Sequence, residues 1–446
     1  MAKTSSKILL WSITVALGGF LFGFDTAVIS GGEQAIQQQW NLSDGMIGQM
    51  VAMALYGTVI GALFGGIPAE SLGRKTSLFW VAVLYLISAL GSALSPDVYF
   101  LMFFRFIGGL GVGASSVIAP MYISEIAPRE KRGQLTALFQ FNIVLGILIA
   151  YFSNYLIGGG AGDNWRWMLG VEVFPAIAFV ILIRLVPRSP RWLIVKRGLK
   201  EEARSVLEKI NKDTAEENLK TILNINPSQK SGFSEFISGR YKYPILLAFL
   251  LAFFNQMSGI NAVIYYAPRI FSSAGMAESS ALLSSVGIGV VNLVFTMLGM
   301  FLIDKMGRKF LMYVGSFGYI ISLGLVAYAF YSQAYFWVDK IVIFLFVFIA
   351  SHAIGQGAVI WVFITEIFPN QVRSFGNSLG CGTHWVFAAL IAGTFPLVAE
   401  YLGPGSTFLI FTVMMVFQLL FVAFMMPETK GKSLEELEHL LIKEKL

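Results

Sequence analysis

Long apolar stretches separated by short polar segments dominate the hydropathy pattern of this chain. An α-helix needs about 20 apolar residues to cross the roughly 30 Å hydrocarbon core of a bilayer. Stretches of this length occur in two groups of six, so the pattern predicts an all-α membrane protein with twelve transmembrane helices. The predicted spans are 8–31, 46–69, 76–95, 98–119, 133–156, 165–186, 243–271, 279–303, 310–333, 338–364, 375–399 and 406–426.

A polar segment at 188–242, rich in Lys, Glu, Asn and Ser, separates the two groups. Within it, residues 201–211 have helical periodicity with one solvated face. The predicted organisation is an N-terminal six-helix bundle at 1–187, a cytoplasmic linker of helices at 188–242, a C-terminal six-helix bundle at 243–427 and a cytoplasmic tail at 428–446.

The composition excludes several other classes of protein. Hydrophobic residues make up 56% of the 446 residues and charged residues only 13%, whereas a soluble domain has about 25% charged residues. The net charge of +6 arises mainly in short segments between apolar stretches, so no nucleic-acid partner is expected. The single cysteine, Cys381, excludes an intramolecular disulfide.

Basic residues fall predominantly on one side of the predicted membrane. Strict alternation of the spans leaves only Arg166, Arg269 and Lys340 on the other side. Because Lys and Arg stay in cytoplasmic loops, this bias predicts that both termini are cytoplasmic. The first apolar stretch has no small-residue cleavage pattern and is long enough to span, so no signal peptide is predicted.

Three short motifs recur in the two halves. The pairs are Leu-Gly-Arg-Lys at 72–75 with Met-Gly-Arg-Lys at 306–309, Glu-Ile-Ala-Pro at 125–128 with Glu-Ile-Phe-Pro at 366–369, and Pro-Arg-Ser-Pro-Arg at 187–191 with Pro-Glu-Thr-Lys-Gly at 427–431. Their offsets of 234, 241 and 240 residues indicate a duplication. Two parallel repeats of this kind predict a substrate path between two bundles that rock to give alternating access.

The chain resembles the sugar porter family of the major facilitator superfamily over almost its whole length. The resemblance is carried by the repeated motifs, by Phe-Gly-Phe-Asp-Thr at 22–26, by Arg105 with Gly108 and Gly109, and by Gln-Met-Ser-Gly-Ile-Asn at 256–261. Bacterial pentose and hexose proton symporters and animal glucose facilitators look most similar. The resemblance implies a major facilitator fold in the cytoplasmic (inner) membrane, with a monosaccharide, a proton and the lipid bilayer as partners. No cofactor is expected, and the protein is expected to be a monomer.

Three ionisable residues that lie inside predicted spans are the candidates for proton coupling: Asp25, Arg105 and Glu172. A charge there costs about 2.5 to 3.5 kcal/mol on insertion scales and marks a functional site by default. Arg keeps its proton, so a carboxylate must compensate it, and Asp25 is the expected partner. If Asp25 alternates between Arg105 and a proton, conformation is coupled to proton movement. The alternative is a permanent structural salt bridge, and Glu172 is either a supporting or a purely structural residue.

A monosaccharide presents hydroxyl groups and an apolar ring face, so its site needs amides and an aromatic wall. Any single amide in a span could instead join helices by hydrogen bonds. The amides inside predicted spans, where a polar group needs a partner, include Gln140, Gln256, Asn261 and Asn292. The family resemblance implies that these four amides and Trp361 contact the sugar, with Phe22, Tyr265 and Trp385 as the apolar wall, and His384 beside Trp385 is a further expected substrate-binding residue. Ser258 and Gly259 are expected to interrupt the seventh span beside Asn261.

Several positions depart from the family pattern. Asn255 and Ile147 stand where relatives often carry Gln, and residues 358–360 lack the usual prolines. His384 stands where relatives commonly carry Asn or Gln, and it is a candidate sugar contact, a candidate proton carrier or a neutral hydrogen-bonding group. No metal site is predicted for His352 and His384, because no carboxylate lies near either of them in the sequence.

Charges of both signs lie where the predicted spans meet the cytoplasm. The expected residues of a cytoplasmic gate are Arg74, Glu125, Arg132, Asp304, Arg308, Glu366 and Arg373. They are predicted to form a latch between the bundles that must break for inward opening. The alternative is a set of solvated anchoring charges. In the first half Glu70 and Ser71 replace the family's usual Asp and Arg, so one latch contact is expected to be weaker.

Together these features predict a secondary active transporter that carries a hexose or a pentose inward with one proton. Within the family, proton symporters tend to carry Asp at the position of Asp25 and facilitators tend to carry Asn. The alternatives are a sugar uniporter with the same site and a non-transporting sugar receptor. No zinc-protease HExxH motif, no nucleotide P-loop and no plausible Ser/His/Asp set occurs, so no enzymatic activity is predicted.

Overall fold

The structure is a computed structural model of the 446-residue chain. The residues that it describes are 6–128, 131–158, 162–223, 233–332, 335–338, 340–369, 371–432 and 434–441. Within these ranges the secondary structure is helical and no β-strand occurs. The predicted all-α fold is therefore confirmed.

The chain divides into two compact units, each of which has its own buried apolar core. Unit 1 comprises Met1–Trp40 and Met53–Pro227, and unit 2 comprises Asn41–Ala52 and Ser228–Leu446. The second helix of the chain contributes its first turns to unit 2 and the rest to unit 1.

The helices follow one another with short connections. In the first half they are α1 (Ser6–Gln39), α2 (Asp44–Phe64), α3 (Gly66–Ser71), α4 (Arg74–Ala93), α5 (Val98–Ile126), α6 (Arg132–Ile157), α7 (Asn164–Gly170), α8 (Val173–Leu182), a 3-10 turn (Ile183–Leu185), α9 (Pro190–Arg197), α10 (Lys200–Ile210) and α11 (Ala215–Leu223). In the second half they are α12 (Phe233–Phe236), α13 (Lys242–Met257), α14 (Ile260–Ser273), α15 (Glu278–Met306), α16 (Arg308–Ser332), α17 (Tyr335–Val338), α18 (Ile341–His352), a π turn (Ala353–Gly357), α19 (Ala358–Glu366), α20 (Arg373–Phe424) and α21 (Leu434–Leu441).

In the described part of the chain, eleven helical segments are long and apolar enough to cross a membrane. The last of them, α20, is 52 residues long, which is far more than one crossing requires. It contains a sharp kink at Gly403, whose φ of 77° is left-handed, and Pro404 follows directly. The kink falls between the predicted spans 375–399 and 406–426, so α20 provides two crossings and the total of twelve is confirmed.

The predicted sixth span has a local change in its hydrogen bonding between α7 and α8, at Val171 and Glu172, although both residues keep right-handed helical dihedral angles. Pro175 has no amide hydrogen to give to the Val171 carbonyl four residues earlier. That carbonyl instead accepts a hydrogen bond from Phe174 N at 3.2 Å. Glu172 lies at this local change in hydrogen bonding, inside the apolar segment.

The predicted tenth span also contains a local irregularity, the π turn between α18 and α19. Gly355 in this turn approaches Gly315 of α16 so closely that a Cβ atom on Gly355 would lie 2.9 Å from Gly315 Cα. Two glycines therefore let α16 and the π turn pack backbone to backbone. Short π segments of this kind occur frequently at functional sites.

The predicted helical linker contains α9, α10 and α11 in unit 1, with a small apolar core of its own. Ser189 accepts a hydrogen bond from Trp192 N at 3.2 Å and Pro190 follows it, which is a common way to begin a helix. Residues 224–232 of the predicted linker lie outside the described ranges. In the predicted tail, α21 buries Leu437 and Leu441.

Candidate substrate and proton-coupling sites

A buried ion pair lies in unit 1 between α1 and α5. Arg105 Nη1 lies 3.4 Å from Asp25 Oδ1, and the two side chains are 1% and 4% exposed. Gly108, one turn after Arg105 on α5, lets Ser88 of α4 approach beside this pair, since a Cβ on Gly108 would overlap with Ser88 Oγ. The predicted pairing of Asp25 with Arg105 is therefore present, while its role in proton coupling stays a prediction.

Glu172 is the second acid of this buried group, and it lies between α7 and α8. It is buried and close enough to interact electrostatically with Asp25 and Arg105. Among the described residues, Glu172 Oε1 and the Nε and Nη2 atoms of Arg105 have no hydrogen-bond partner. The group therefore has hydrogen-bonding capacity to spare.

The charges of this group do not balance if all three side chains are ionised. One guanidinium would then face two carboxylates, which leaves one buried negative charge uncompensated, and such a charge is costly. A single proton shared between the two carboxyl groups removes the imbalance. The arrangement is therefore suited to bind and release one proton.

A second polar site lies in unit 2, at the interruption of the seventh span. As predicted, the helix breaks here: α13 ends at Met257, Gly259 adopts a left-handed φ of 79°, and α14 begins at Ile260. The break brings two amides together, so that Asn261 Nδ2 donates to Gln256 Oε1 at 2.7 Å.

Aromatic side chains surround the Gln256 amide. Gln256 Nε2 lies 3.1 Å from His384 Nδ1. The ring centroid of His384 is 5.0 Å from that of Trp361 and 4.7 Å from that of Trp385. Five predicted site residues, counting Asn261, thus come together in unit 2, and they offer amide groups beside ring faces.

The other predicted substrate-binding residues do not join this cluster through the hydrogen bonds described. Asn292 Oδ1 accepts from Thr296 Oγ1 at 3.3 Å, one turn along α15. Tyr265 is buried on α14, and Phe22 and Gln140 are half-buried in unit 1. Their contact with substrate stays a prediction.

The sequence analysis did not select two polar members of unit 2, Gln356 in the π turn and Gln418 in the second part of α20, which are fully buried amides. His352, one of the two histidines within predicted spans, makes a 2.7 Å hydrogen bond with the Tyr319 hydroxyl through Nδ1. The signal was available, because each is a polar residue within an apolar span. The reasoning that selected Gln256 would also have selected Gln356 and Gln418.

The three repeated motifs of the first half meet in one cluster at the ends of their helices. Arg74 Nη2 donates to Glu125 Oε1 at 2.9 Å, and Arg74 Nη1 donates to the Ala69 carbonyl at 3.1 Å. The Ser189 hydroxyl donates to the other oxygen of Glu125. Lys75 Nζ donates to the Arg184 carbonyl at 2.7 Å.

The second half repeats this cluster residue by residue. The hydrogen bonds are Arg308 Nη2 to Glu366 Oε1 at 2.7 Å, Arg308 Nη1 to the Ile303 carbonyl at 3.0 Å, Thr429 Oγ1 to Glu366 Oε2 at 2.6 Å and Lys309 Nζ to the Ala423 carbonyl at 3.2 Å. The duplication inferred from the sequence is thus also a duplication of side-chain contacts.

The sequence profile of the family described as "Sugar (and other) transporter" matches residues 11–441 of this chain. The chain belongs to this sugar transporter family. It is 37% identical to the arabinose-proton symporter of Bacillus subtilis (strain 168), over 98% of this chain and 95% of that protein. It is also 37% identical to the D-xylose-proton symporter of Escherichia coli (strain K12), over 98% of this chain and 96% of that protein. The solved inward open conformation of the xylose transporter XylE from E. coli gives a TM-score of 0.85 at 35% identity, covering 97% of this chain and 100% of that one.

Membership of this sugar transporter family makes the chain a multi-pass membrane protein and a transporter rather than an enzyme. Its twelve apolar crossings agree with the major facilitator fold of the related structures. Among the residues that the structure describes, no group of three or more His, Cys, Asp or Glu side chains could hold a metal ion.

In this sugar transporter the first-half cluster around Arg74 and the second-half cluster around Arg308 differ in a nearby acidic residue. Asp304 pairs with Arg308 at 3.2 Å, whereas the corresponding Glu70 pairs with Lys196 at 2.9 Å. The first-half cluster thus lacks the second carboxylate that its counterpart has on the motif arginine, as the departure at Glu70 indicated.

Glu428 caps the start of α16, and its counterpart in the first half is a basic residue. Its two oxygens accept hydrogen bonds from the backbone N–H groups of Arg308 and Lys309, each at 3.0 Å. Burial opposes ionisation of Glu428, but these bonds, with others from Lys430 and Thr429, outweigh it and lower its pKa.

Arg373 does not pair with Glu366, although both were expected in the gate. In the described part of the chain its Nε donates to the Phe368 carbonyl at 3.2 Å and its Nη2 has no partner, because Glu366 is already held by Arg308 and Thr429. The side chain of Arg132 lies outside the described part.

Proposed function

We propose that this protein is a secondary active transporter that carries a monosaccharide inward together with one proton by alternating access. The single observation that carries the proposal is the buried group of Asp25, Arg105 and Glu172 in unit 1. Two of its relatives bear the names arabinose-proton symporter and D-xylose-proton symporter, which supports symport over facilitated diffusion.

The proton is proposed to reside on the two carboxyl groups beside Arg105. When Asp25 is paired with the guanidinium, the charged carboxylate is favoured, and when the pair separates, the protonated form is favoured. A change of conformation that alters the 3.4 Å separation therefore loads or unloads a proton. Glu172 supplies the second carboxyl group, so the site is neutral while it holds one proton and carries one negative charge after that proton leaves.

The sugar is proposed to bind at the amide and aromatic cluster of unit 2. Gln256 and Asn261 would exchange hydrogen bonds with sugar hydroxyls, and Trp361 and Trp385 would cover the apolar ring face. His384 adds a ring nitrogen beside Gln256. Phe22, Gln140, Tyr265 and Asn292, expected from the resemblance, complete the proposed set of ligands.

The repeated clusters are proposed to belong to the cytoplasmic gate. Each one fixes helix ends through a buried arginine, and releasing such a contact would free those helix ends to move. We further propose that both termini are cytoplasmic, with the predicted bundles at 1–187 and 243–427 joined by the linker 188–242. The protein would work as a monomer in the lipid bilayer of the inner membrane, with the tail 428–446 in the cytoplasm.

Proteoliposomes test the coupling directly. An inward sugar gradient should make the outside medium alkaline, because each sugar molecule would carry a proton inward. Asp25→Asn should abolish uphill sugar accumulation while sugar counterflow, which needs no proton gradient, continues. Uptake of D-xylose, L-arabinose and D-glucose, each labelled, provides the measurement.

Asp97→Asn is the matched control. Asp97 caps α5 by accepting hydrogen bonds from the N–H groups of Tyr99 and Phe100, and Asn fills the same position equally well. This variant should accumulate sugar as the unmodified protein does. Undiminished accumulation by Asp25→Asn would instead identify a uniporter, and binding without any flux would identify a receptor.

A further inference from the structure

Five buried hydrogen bonds in unit 2 join the proposed sugar site to residues outside it. We name the six residues concerned the amide series. From donor to acceptor, the bonds are Asn261 Nδ2 to Gln256 Oε1 at 2.7 Å, Gln256 Nε2 to Asn255 Oδ1 at 2.8 Å, Asn255 Nδ2 to Gln356 Oε1 at 3.4 Å, Gln356 Nε2 to Gln418 Oε1 at 2.8 Å and Gln418 Nε2 to Ser316 Oγ at 2.9 Å.

All five bonds of the amide series run in the same direction. The four middle amides each accept with the side-chain oxygen from one neighbour and donate with the nitrogen to the next, while Asn261 donates at the start of the series and Ser316 accepts at its end. Reversing one amide alone would place two donors together on one side and two acceptors together on the other. The orientation of each amide is therefore coupled to that of its neighbours, and bonds in such a chain also strengthen one another.

The amide series is buried throughout, and its exposure is greatest at Asn261. Gln256, Gln356, Gln418 and Ser316 are 0% exposed, whereas Asn261 is 9% exposed. A buried amide that loses its hydrogen-bond partner costs about 1 to 3 kcal/mol, so reversal of either inner amide, Gln356 or Gln418, is energetically unfavourable. The orientations of Gln256 and Asn261 are coupled to that of Gln356 by the hydrogen bonds that run through Asn255.

The orientation of the Gln256 amide also decides what His384 presents. Since Gln256 accepts from Asn261, its nitrogen faces both Asn255 and the His384 ring. Both ring nitrogens of His384 lie within reach of Gln256 Nε2, Nδ1 at 3.1 Å and Nε2 at 3.3 Å. The ring nitrogen that takes this hydrogen bond accepts it, and in the neutral ring the other nitrogen carries the hydrogen. Reversal of the Gln256 amide would exchange these roles.

We infer that Gln356 and Gln418 are positioning residues that fix the donor and acceptor pattern offered to sugar by Gln256, Asn261 and His384. The inference rests on the proposed sugar site and names the groups outside it that determine its specificity. In the described part of the chain, the hydrogen bonds that link Gln418 to the site pass through Gln356 and Asn255. Gln418 acts by orientation and needs no contact with substrate.

Gln418→Met is the variant that tests this inference. Methionine has nearly the same length and volume as glutamine, so packing is retained while both hydrogen bonds are lost. Gln356 then has no acceptor and is free to reverse. We expect sugar binding to weaken about tenfold, in line with an orphaned buried amide. The dissociation constant is measured from tryptophan fluorescence with D-xylose, L-arabinose and D-glucose as probes.

Thr412→Val is the matched control on the same part of α20. The Thr412 hydroxyl donates only to the Phe408 carbonyl of its own helix, at 2.8 Å. Its removal perturbs α20 without touching the amide series, so the dissociation constants should change less than about twofold. The melting temperature without sugar is recorded for both variants, to separate loss of stability from loss of affinity.

A double-mutant cycle with Gln256→Ala distinguishes positioning from a purely structural effect. If Gln418 acts through the amide series, Gln418→Met should have little further effect on affinity once the Gln256 amide is absent. A tenfold loss that persists in the Gln256→Ala background would overturn the inference. So would unchanged affinity in Gln418→Met itself, even with a lowered melting temperature.

Sugar binding by the unmodified protein shows whether the proposed function or only the positioning role has failed. If it binds none of the three sugars, the proposed substrate class is wrong and the inference falls with it. If it binds one of them and Gln418→Met binds that sugar equally well, the proposed function stands and the positioning role alone is rejected.

Discussion

His384 is the residue at which the candidate sugar site of this chain departs from the amide usual in its family. Its ring contacts the Gln256 amide and lies between Trp361 and Trp385. An imidazole offers one donor and one acceptor in a fixed plane, whereas an amide offers two of each at a longer reach. The residue is therefore expected to influence which sugar hydroxyls are matched.

We predict that His384→Gln changes sugar preference. Glutamine can still bond to Gln256, so the fold should be retained, but the ring between the two tryptophans is lost. Competition for uptake by a panel of pentoses, hexoses and polyols, at two pH values, gives the measurement. His439→Gln, in the exposed part of α21, is the control and should leave the preference unchanged. An unaltered preference and pH profile in His384→Gln would remove both proposed roles of His384.

Residue type revealed the buried charges but not the whole polar network. Asp25 and Arg105 could be predicted because ionisable groups are rare and costly in a bilayer. Gln356 and Gln418 carry no charge, so the cost of inserting a charge into a bilayer does not mark them, although both are completely buried. Their importance comes from the partners that the fold gives them, and no single position in the sequence reveals a partner.

At the scale of elements, the first turn of α16 is capped by Glu428, a residue distant from it in the sequence. Glu428 accepts hydrogen bonds from the first two N–H groups of this helix, 119 and 120 residues away in sequence. The positive end of the helix dipole also favours its charge. The Pro-Glu-Thr-Lys-Gly motif thus serves as a helix cap as well as a member of the second-half cluster.

We predict that Glu428→Gln destabilises the protein by about 1 kcal/mol near neutral pH. Because the folded pKa of Glu428 is lowered, its stabilising effect is present above the ordinary glutamate value of 4.5. It is lost as the pH falls through the lowered pKa of the folded state. The difference in melting temperature between the two proteins should therefore shrink on acidification. Glu278→Gln, at the exposed start of α15, should show no such trend.

The lengths of the apolar stretches predicted the helices, but they did not predict the local irregularities in the sixth and tenth spans. The irregularities at Glu172 and at the π turn depend on Pro175 and on the close approach of Gly355 to Gly315. Hydropathy averages over a whole span and is insensitive to an irregularity of two to five residues. The break at Gly259 was predicted only because serine and glycine adjoin each other beside an asparagine.

At the scale of the whole molecule, the distribution of basic residues predicts that both termini face the cytoplasm. The chain has one cysteine, so Cys381→Ser gives a cysteine-free background. In that background we predict that a membrane-impermeant maleimide labels Ser273→Cys in intact cells. It should label Lys209→Cys only after the membrane is opened. Ser273 is exposed at the end of α14, and Lys209 is exposed within α10. The reverse labelling pattern would invert the proposed orientation.

The sequence by itself determined the number of membrane crossings, the duplication and the identity of the buried charges, because hydropathy, repetition and residue type are properties of the chain read locally. Only the tertiary structure decided which groups meet. Arg308 takes Glu366 and leaves Arg373 without it, and the Gln256 amide meets a histidine ring 128 residues further along the chain. Such pairings depend on how helices pack side by side, since distances across a bundle are not encoded by distance along the sequence.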